Sequence, residues 1–437
     1  MRGESLTGGA GQTFDVGSSS YWLPRCSSKI RLIGLSALLG CGFTLPGRAS
    51  DLDRKEPARI VSATLHGDIV TLSDSEAQMF DPAKIWSFPI HFEHPMTVTN
   101  PRDLARVKAL IADQQEPQAT AWLALQKNAV AALKFTPHPS SHLLIQGGYQ
   151  KGTNLGAMRD VLWSSSSSAY TCALMWALTN DVKYADKAME ILRAWVVADT
   201  TFAGKDRGLQ LGSHFTPMLY AADLLAGYQG WDQPDRRAFE AFWRRRVLPH
   251  TKFVMLRNNN WGDNALMGVM AAGIVFEDEF LVRRCLYQLN DYFFGNWKIR
   301  KDDRGTFLLD EVERNKGRSG ITYTGYAMQA ITQLLEMARN FGPEFDWWQR
   351  RTTADATIQG LCENYFRWNN LHETFPWYDE NSSTGHPEYF NDRGNVFETA
   401  HTRLPHLDPR IGEWLRTHRP VNGKTADLYN TLLKGTP

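Results

Sequence analysis

The chain is 437 residues long, 43% hydrophobic and almost neutral, with a formal net charge of +1. This composition excludes a disordered chain, because the apolar fraction is large enough to build a substantial core. The near-zero charge gives no support for a nucleic-acid partner. Aromatic residues are abundant, with 15 Trp, 14 Tyr and 22 Phe. Flat rings suit a large core and also a groove that binds sugar rings.

The first 50 residues have the features of an export leader. Lys29 and Arg31 precede the apolar run LIGLSALLGCGFTL, which is followed by the small residues of PGRAS. This order is typical of a secretory signal, and the apolar run is too short to span a membrane. Cleavage after Ala49 is the favoured processing, and lipidation of Cys41 in the lipobox-like LLGC is the alternative. The sequence therefore predicts a periplasmic or secreted protein.

After the leader, a short mixed segment precedes the helices. Residues 58–72, ARIVSATLHGDIVTL, alternate enough to predict one or two short strands. The helical period begins at Asn100, which is placed to cap a helix whose first turn holds Pro101. Residues 170–199 predict a helical hairpin with its turn at residues 180–181. Further helices are predicted at 211–228, 234–250, 262–275, 278–293, 320–341 and 350–368.

No strand is predicted in this helical region, and no Pro-, Gly- or Ser-rich linker divides it. Residues 51–437 are therefore predicted to form a single all-α domain. Successive helical hairpins in a chain of this length favour an (α/α)n toroid, an incomplete or closed ring with a short mixed N-terminal segment. The loops of such a ring gather at one end and form a groove.

The sequence predicts neither a cofactor nor a metal site. His138 and His142 are four residues apart, but they lie in a proline-rich loop rather than on a helix. The cysteines lack metal-ligand spacing. Those outside the leader are expected to be buried free thiols: Cys172, Cys285 and Cys362.

Two stretches place polar residues near the starts of predicted helices. LRNNNWGDNAL carries Asn259, Asn260 and Trp261 in front of a small-residue helix. Adjacent asparagines are poor helix interior, because their amides offer the backbone competing hydrogen bonds. Asn258 is expected to cap the helix, and the run is either an Asn-rich cap with a buried Trp or a site at which the next two asparagines bind a ligand. His214 lies in LQLGSHFTP on the preceding helical pair.

A third stretch, residues 307–338, combines arginines and tyrosines. Arg314 and Arg318 come just before a helix that carries Tyr323 and Tyr326 on one face. An arginine lowers the pKa of a nearby phenol through its charge. Asn and Arg side chains also form hydrogen bonds to carboxylates. The set is suited to proton transfer beside a carboxylate.

Two polar loops are predicted to border the groove. Residues 147–156, GGYQKGTNLG, have glycine hinges with Tyr149 and Lys151 at the tip, which predicts a mobile flap that grips a substrate carboxylate. The late loop STGHPEYFND carries His386 and is expected to close the groove.

Four stretches, taken together, are similar to a known family. They are ALMWALTNDVKYADKAMEILRAW, NNW before a small-residue helix, FLLDEVER followed by YTGYAMQAITQLLEMA, and FETAHTRLP. Their order and spacing over roughly residues 95–410 resemble the alginate-lyase family of α/α-toroid polysaccharide lyases. The resemblance implies an enzyme that cleaves an acidic polysaccharide by β-elimination.

The resemblance also implies roles for individual residues. Asn260 falls on the family's carboxylate-neutralising asparagine, Arg314 on its arginine and Tyr323 on its catalytic tyrosine. Two extra residues separate Arg314 from Tyr323, so Arg318 remains a rival for the arginine role. Asn259, Trp261 and Tyr326 then join Tyr149, Lys151 and His386 as expected substrate-binding residues.

Trp261 is the main departure from the family, in which many members have a histidine at this position. His214 is our candidate to replace it. One tyrosine can serve as both base and acid when H5 and O4 lie on the same face of the sugar, as in β-D-mannuronate and β-D-glucuronate. In α-L-guluronate they lie on opposite faces, which requires a second group. The sequence therefore predicts cleavage of mannuronan, glucuronan or a related polymer rather than polyguluronate.

Two other functions remain open from the sequence. A glycoside hydrolase on the same kind of ring would need two carboxylates that flank the bond, and Asp310, Glu311 and Glu313 are available but clustered. A non-catalytic periplasmic glycan-binding protein is the other alternative. The sequence does not decide the polymer, endo or exo action, or the oligomeric state.

Overall fold

Helices make up most of the described chain in this computed structural model. The structure describes residues 62–65, 68–71, 89–147, 158–295, 298–314, 319–378, 389, 394–421 and 428–436. They belong to a unit that spans Glu56–Pro437. The predicted leader, residues 1–50, lies outside the described residues. None of the helices in the described ranges is long and apolar enough to span a bilayer.

The helices of the first half begin near the predicted positions. In chain order they are α1 (Pro101–Ala112), α2 (Gln118–Leu133), α3 (Ser164–Thr179), α4 (Val182–Ala198), α5 (Arg207–Gln210), α6 (Pro217–Leu224), α7 (Gln233–Phe242) and α8 (Leu248–Val254). Asn100 accepts a hydrogen bond from the backbone N–H of Asp103, which confirms the predicted cap of α1. Asn180 is left-handed and Asp181 caps α4, as a tight helical turn requires.

The second half continues the same pattern. Its helices are α9 (Asn260–Val275), α10 (Glu279–Gln288), α11 (Leu309–Arg314), α12 (Gly320–Arg339), α13 (Ile358–Asn369), α14 (Asn395–Arg403), α15 (Pro409–His418) and α16 (Asn430–Lys434). Residues 350–357 are not helical, so that part of the predicted 350–368 helix is wrong. α13 begins only at Ile358, because Thr357 is extended and caps it through the N–H of Gly360.

The strands are short and paired in twos. They are β1 (Ser62–Leu65), β2 (Asp68–Thr71), β3 (His142–Leu144), β4 (Thr201–Ala203), β5 (Ile299–Asp302) and β6 (Gly305–Leu308). β1 and β2 form the antiparallel hairpin that the alternating segment predicts. The parallel β3–β4 pair and the β5–β6 hairpin were not predicted. At three or four residues, they are too short for a period of two to be visible in the sequence.

Burial and packing together distinguish inner from outer helices. Every residue of α6 is buried, and nearly every residue of α9 and α12. A helix that is buried all round must be surrounded by other elements. α7, in contrast, buries only Phe239 and Phe242 and is strongly amphipathic. We call α3, α6, α9, α12 and α14 the inner helices, because successive members of this series contact one another. The outer helices α4, α10, α13 and α15 each pack on one of them, and α7 packs on α4.

Neighbouring inner helices run in the same direction, as the order of their contacts shows. Just before α3 and α6 begin, the rings of Trp163 and His214 lie 3.8 Å apart. Within these helices, the rings of Tyr170 and Tyr220 lie 5.7 Å apart. Residue numbers increase in the same direction along both helices, so the helices are parallel. Between α12 and α14, Gln329 donates to Asn395 at 3.5 Å and Arg403 donates to Glu336 at 2.8 Å. These helices are therefore also parallel.

The same order holds on both sides of α9. A Cβ on Gly212, just before α6, would lie 2.6 Å from the Cα of Ala265, and one on Gly268 would lie 2.9 Å from Oγ1 of Thr216. On the other side, Glu311 of α11 lies at the start of α9, just before α12 begins. The inner helices thus place their N-terminal ends at one end of the ring.

The C-terminal residues join the last helices to the first. Glu336 of α12 accepts hydrogen bonds from Lys434 at 2.6 Å, Arg403 at 2.8 Å and Trp348 at 3.0 Å. Arg106 of α1 donates to the carbonyl of Leu433 at 2.7 Å. Helix α16 is therefore tied both to α12 and to α1.

Candidate active site

The candidate site lies where the inner helices begin. His214 lies in a π-helical turn, Leu211–Phe215, that leads into α6, and Trp163 ends a similar turn before α3. Such turns are rare and occur often at functional sites. Asn260 begins α9 and Tyr323 lies in the first turn of α12. The positive ends of several helices therefore face the same region, which favours an anionic ligand.

Each asparagine of the run before α9 has its own environment. Asn259 is extended (φ −143°, ψ 178°), and its side-chain oxygen accepts a hydrogen bond from the backbone N–H of Trp261 at 3.0 Å. Asn259 is therefore the N-cap, and the expectation that Asn258 would cap the helix is wrong. The cap must directly precede the first helical residue in order to reach the orphan N–H groups.

Asn260 is held at the start of α9 by a buried carboxylate. Its backbone N–H donates to Oε1 of Glu311 at 2.5 Å, and its carbonyl accepts from Nδ2 of Asn264 at 2.8 Å. Glu311 is fully buried and Asn260 is 2% exposed. A carboxylate at a helix N-terminus is stabilised by the unpaired N–H groups there. At this exposure, a polymer can contact the Asn260 amide only if neighbouring groups move aside.

Tyr323 lies level with Asn260 on the neighbouring helix. Asn264 donates from Nδ2 to the carbonyl of Tyr326 at 3.4 Å, which puts these two residues at one height. Asn260 is four residues before Asn264, and Tyr323 is three before Tyr326, so each lies about one turn nearer its N-terminus. Because α9 and α12 are parallel, Asn260 and Tyr323 lie at about the same height on adjacent helices. Tyr323 and Tyr326 are both half-buried.

His214 is held in one tautomer by its neighbour in the chain. Oγ of Ser213 donates to the carbonyl of Leu209 at 2.8 Å. A hydroxyl has only one hydrogen to donate, so at the 2.8 Å contact with Nδ1 of His214 the serine oxygen must accept. Nδ1 of the neutral imidazole therefore carries the hydrogen, and Nε2 carries the lone pair. Nε2 can accept a proton while the Ser213 contact is kept.

The ring of His214 is also fixed in orientation. It stacks on Trp163 with ring centroids 3.8 Å apart and an interplanar angle of 7°. His214 is 7% exposed. Stacking and the Ser213 contact together limit the rotation of the imidazole, as a positioned base requires.

A buried ion pair supports the first turn of α9. Nζ of Lys298 lies 2.5 Å from the carboxylate of Asp263, and both side chains are 3% exposed or less. Lys298 directly precedes β5, so the pair ties the β5–β6 hairpin to the helix that carries Asn260. Neither this pair nor the role of Glu311 was predicted. The only sequence signal was an acid in each motif, Asp263 in NNNWGDN and Glu311 in FLLDEVER.

The structure describes only some of the other predicted site residues. Trp261 is half-buried, and the guanidinium carbon of Arg257 lies 4.8 Å from its ring centroid. Arg314 ends α11 on the chain leading into α12, but its side chain lies outside the described part. The remaining predicted residues lie outside the described ranges altogether: Tyr149, Lys151, Arg318 and His386.

No group of three or more His, Cys, Asp or Glu side chains among the described residues is arranged to hold a metal ion. His138 contacts the carbonyl of Thr136, and His142 contacts the hydroxyl of Thr201. The predicted free thiols are buried and unpaired with one another: Cys172, Cys285 and Cys362.

Comparison with known proteins identifies the family of this chain. A family model described as alginate lyase matches residues 112–375, which is more than half of the chain. The chain belongs to the alginate lyase family. A curated relative of this family member, a polysaccharide lyase from Stenotrophomonas maltophilia (strain K279a), is 29% identical over 193 residues. That match covers 42% of the chain and about half, 51%, of the relative's own length.

Solved alginate lyases share the fold of this family member. Alginate lyase A1-III from Sphingomonas species A1 superimposes with a TM-score of 0.58 and 16% identity, covering 79% of this chain and 100% of that one. An alginate lyase from Bacteroides ovatus gives a TM-score of 0.58 at 15% identity with the same coverage. The similarity confirms the predicted all-α toroid.

Proposed function

We propose that this member of the alginate lyase family is a polysaccharide lyase that cleaves a uronic-acid polymer by β-elimination. The observation that carries the proposal is the pairing of Asn260 and Tyr323 at one height on adjacent parallel helices. Family membership supports the same reaction. The structure of a variant of alginate lyase A1-III has been solved in complex with a tetrasaccharide. We propose that this protein also binds an oligosaccharide segment, at the N-terminal ends of α6, α9 and α12.

The proposed mechanism uses the asparagine to stabilise charge and the tyrosine to move protons. Removal of the weakly acidic C5 proton spreads negative charge onto the adjacent carboxylate. The amide of Asn260, with Arg314 or Arg318, stabilises that charge where α9 presents its positive end. Tyr323 takes the C5 proton and then protonates the leaving O4. The C4–O4 bond breaks as the C4–C5 double bond forms, so no water is consumed.

We propose β-D-mannuronate or β-D-glucuronate linkages as the substrate. Trp261 cannot take a proton, because its indole nitrogen is only a donor. A single tyrosine can complete only the elimination in which H5 and O4 share a face. His214, with the lone pair on Nε2, is the candidate second base should the opposite stereochemistry be cleaved.

The environment of Glu311 argues against the hydrolase alternative. A glycoside hydrolase needs an acid and a second carboxylate on opposite sides of the bond. Glu311 is fully buried and accepts a hydrogen bond from the backbone of α9. Asp263 is engaged by Lys298. Both carboxylates therefore stabilise the first turn of α9.

The test is to assay the purified protein on polymannuronate, polyglucuronate and polyguluronate. Ultraviolet absorbance reports the C4–C5 double bond, and reducing ends are counted in parallel. We expect absorbance and reducing ends to rise together on the first two polymers and to remain low on polyguluronate. Reducing ends without absorbance would indicate a hydrolase, and neither signal would indicate a binding protein. Rapid cleavage of polyguluronate would overturn the stereochemical proposal and point to His214.

We also propose that the protein is exported. The basic segment, apolar run and small residues before position 50 support this. Fractionation of cells that make the full chain would test it, and Cys41→Ala would distinguish the two processing schemes. Loss of membrane association in Cys41→Ala would favour lipidation, whereas unchanged processing would favour cleavage after Ala49. Full-length protein that stays in the cytoplasm would contradict export.

A further inference from the structure

An exposed arginine lies beside the candidate site and is held by the residue that replaces the family's histidine. The guanidinium carbon of Arg257 lies 4.8 Å from the ring centroid of Trp261. This is within the range of a cation–π contact. Arg257 is exposed and Trp261 is half-buried. Arg257 is two residues before Asn259 and three before Asn260, at the mouth of α9.

The backbone of Arg257 is fixed against the first turn of this helix. A Cβ on Gly262 would lie 1.7 Å from the carbonyl oxygen of Arg257, so only glycine permits the approach. The N–H of Arg257 donates to the carbonyl of Val254 at 3.0 Å. Trp261 is fixed in turn by the capping hydrogen bond from its N–H to Asn259. The two side chains therefore meet because their backbones are fixed.

A guanidinium carries five N–H groups in one plane, and neighbouring pairs of them match the two oxygens of a carboxylate. The contact with Trp261 also reduces the rotamer freedom that a long side chain loses when it binds a ligand. An arginine held in this way is suited to an acidic sugar, whose carboxylate meets the edge of the guanidinium.

We infer that Arg257, positioned by Trp261, binds the carboxylate of a uronate residue next to the residue that is cleaved. This inference rests on the proposed lyase function and deepens it. The tryptophan that replaces the histidine then organises a binding subsite instead of taking part in proton transfer. Asn260 serves the reacting sugar, and Arg257 serves its neighbour in the polymer.

The inference predicts a separation of binding from chemistry. A contact made equally in the ground state and the transition state changes KM and leaves kcat nearly unchanged. We expect Arg257→Ala to raise KM for a D-uronate polymer about tenfold, which is the lower end of what a charged hydrogen bond contributes. Arg416→Ala, which removes an exposed arginine from the outer helix α15, is the matched charge control. It should leave KM unchanged.

Further variants test the positioning role of Trp261. Trp261→Leu should raise KM, and Trp261→Phe should restore much of the loss because it keeps a ring. Combined with Arg257→Ala, Trp261→Leu should add little, since both changes remove the same subsite. Increasing salt should raise the wild-type KM more steeply than that of Arg257→Ala, because screening weakens the lost ionic contact.

The outcomes separate this inference from the function on which it rests. If the unmodified protein gives no unsaturated product on any polyuronate, the proposed function fails and the inference fails with it. Wild-type turnover with an unchanged KM in Arg257→Ala would overturn the inference alone. So would a full rescue by Arg257→Lys together with a wild-type KM in Trp261→Leu. Those results would show that charge, without stacking, is sufficient.

Discussion

Asn259 and Asn260 are adjacent at the start of α9, and the backbone there gives them different roles. Asn259 uses its side-chain oxygen to cap the helix. Asn260 uses its backbone N–H to bind Glu311 and its carbonyl to bind Asn264. The backbone of Asn260 is therefore fixed at the start of α9, and a ligand reaches its amide only when neighbouring groups move aside. This arrangement makes Asn260 the residue whose loss should affect chemistry most directly.

We expect Asn260→Ala to lower kcat about a hundredfold and to change KM less, which corresponds to about 3 kcal/mol for a lost charge-stabilising donor. The effect falls on kcat because the carboxylate charge grows as the proton leaves. Steady-state kinetics on polymannuronate measure it, and thermal unfolding checks that the buried site has not collapsed. A normal kcat with a poorer KM would show that Asn260 only binds.

Replacing Tyr323 tests the other half of the proposed pair. Tyr323→Phe keeps the ring and removes the hydroxyl, so we expect kcat to fall by about 10²–10⁴-fold with substrate affinity nearly unchanged. Tyr184→Phe in the outer helix α4 is the control and should retain full activity. If Tyr326→Phe is inactive and Tyr323→Phe is not, the alignment across the two extra residues is wrong.

At this scale the sequence could identify residues only where a motif contains them. Asn260 and Tyr323 lie in stretches with a family resemblance, and the structure places them at about the same height on adjacent helices. Glu311 and the Lys298–Asp263 pair act across gaps of 51 and 35 residues in sequence. Contacts over such separations leave no local pattern. A buried acid could therefore not be told from a surface acid.

At the scale of the elements, close backbone approach sets the position of α6 relative to α9. A Cβ on Gly212 would lie within 2.8 Å of three backbone atoms of Asn264 and Ala265. Backbone atoms cannot rotate away, so any side chain at position 212 must push the two helices apart. The His214 turn and the Asn260 helix would then separate.

We therefore expect Gly212→Ala to lower both the midpoint of thermal unfolding and kcat. Overpacking of this kind costs roughly 1–3 kcal/mol, and a shift near the site disturbs the position of catalytic groups. Gly227→Ala is the matched control, because a Cβ there would meet nothing within 4 Å. Equal stability and activity in both variants would contradict the close packing of α6 and α9.

Helices were the most predictable elements of this fold. Their period of 3.6 residues is visible in segments such as α4, where apolar residues face one way. α9 was predicted from its small residues although it is buried on all sides and has no amphipathic face. The π-helical turns could not be predicted, because a single widened turn hardly changes the period.

At the scale of the whole molecule, one buried acid connects the last helices of the ring. Burial alone would raise the pKa of Glu336, but the charges of Lys434 and Arg403 and their hydrogen bonds hold it well below its usual range. A carboxyl whose pKa is lower in the folded state stabilises the fold above its unfolded pKa of about 4.5. That stabilisation is lost as the pH falls toward the folded value.

We expect Glu336→Gln to lower the free energy of unfolding by about 3–5 kcal/mol at pH 7, because it leaves two buried cations without their anion. The difference from wild type should shrink as the pH falls below about 4.5. Below that pH, Glu336 of the wild-type protein takes up a proton when the chain unfolds, so a lower pH favours the unfolded state and removes the advantage of the wild type. Urea unfolding at a series of pH values measures it. A pH-independent difference would mean that packing, not charge, explains the loss.

The hydrogen bonds that join α1 and α2 to the region of α16 also determine when the protein can fold. The hydrogen bond from Arg106 to Leu433 spans 327 residues, and the one from Gln118 to Gly435 spans 317. A chain emerging from the ribosome cannot make either contact until residues 433–435 have been made. Contacts so distant in sequence are slow to form, and the incomplete ring exposes apolar helix faces that favour aggregation. The growing chain should therefore depend on chaperones until α16 has been made.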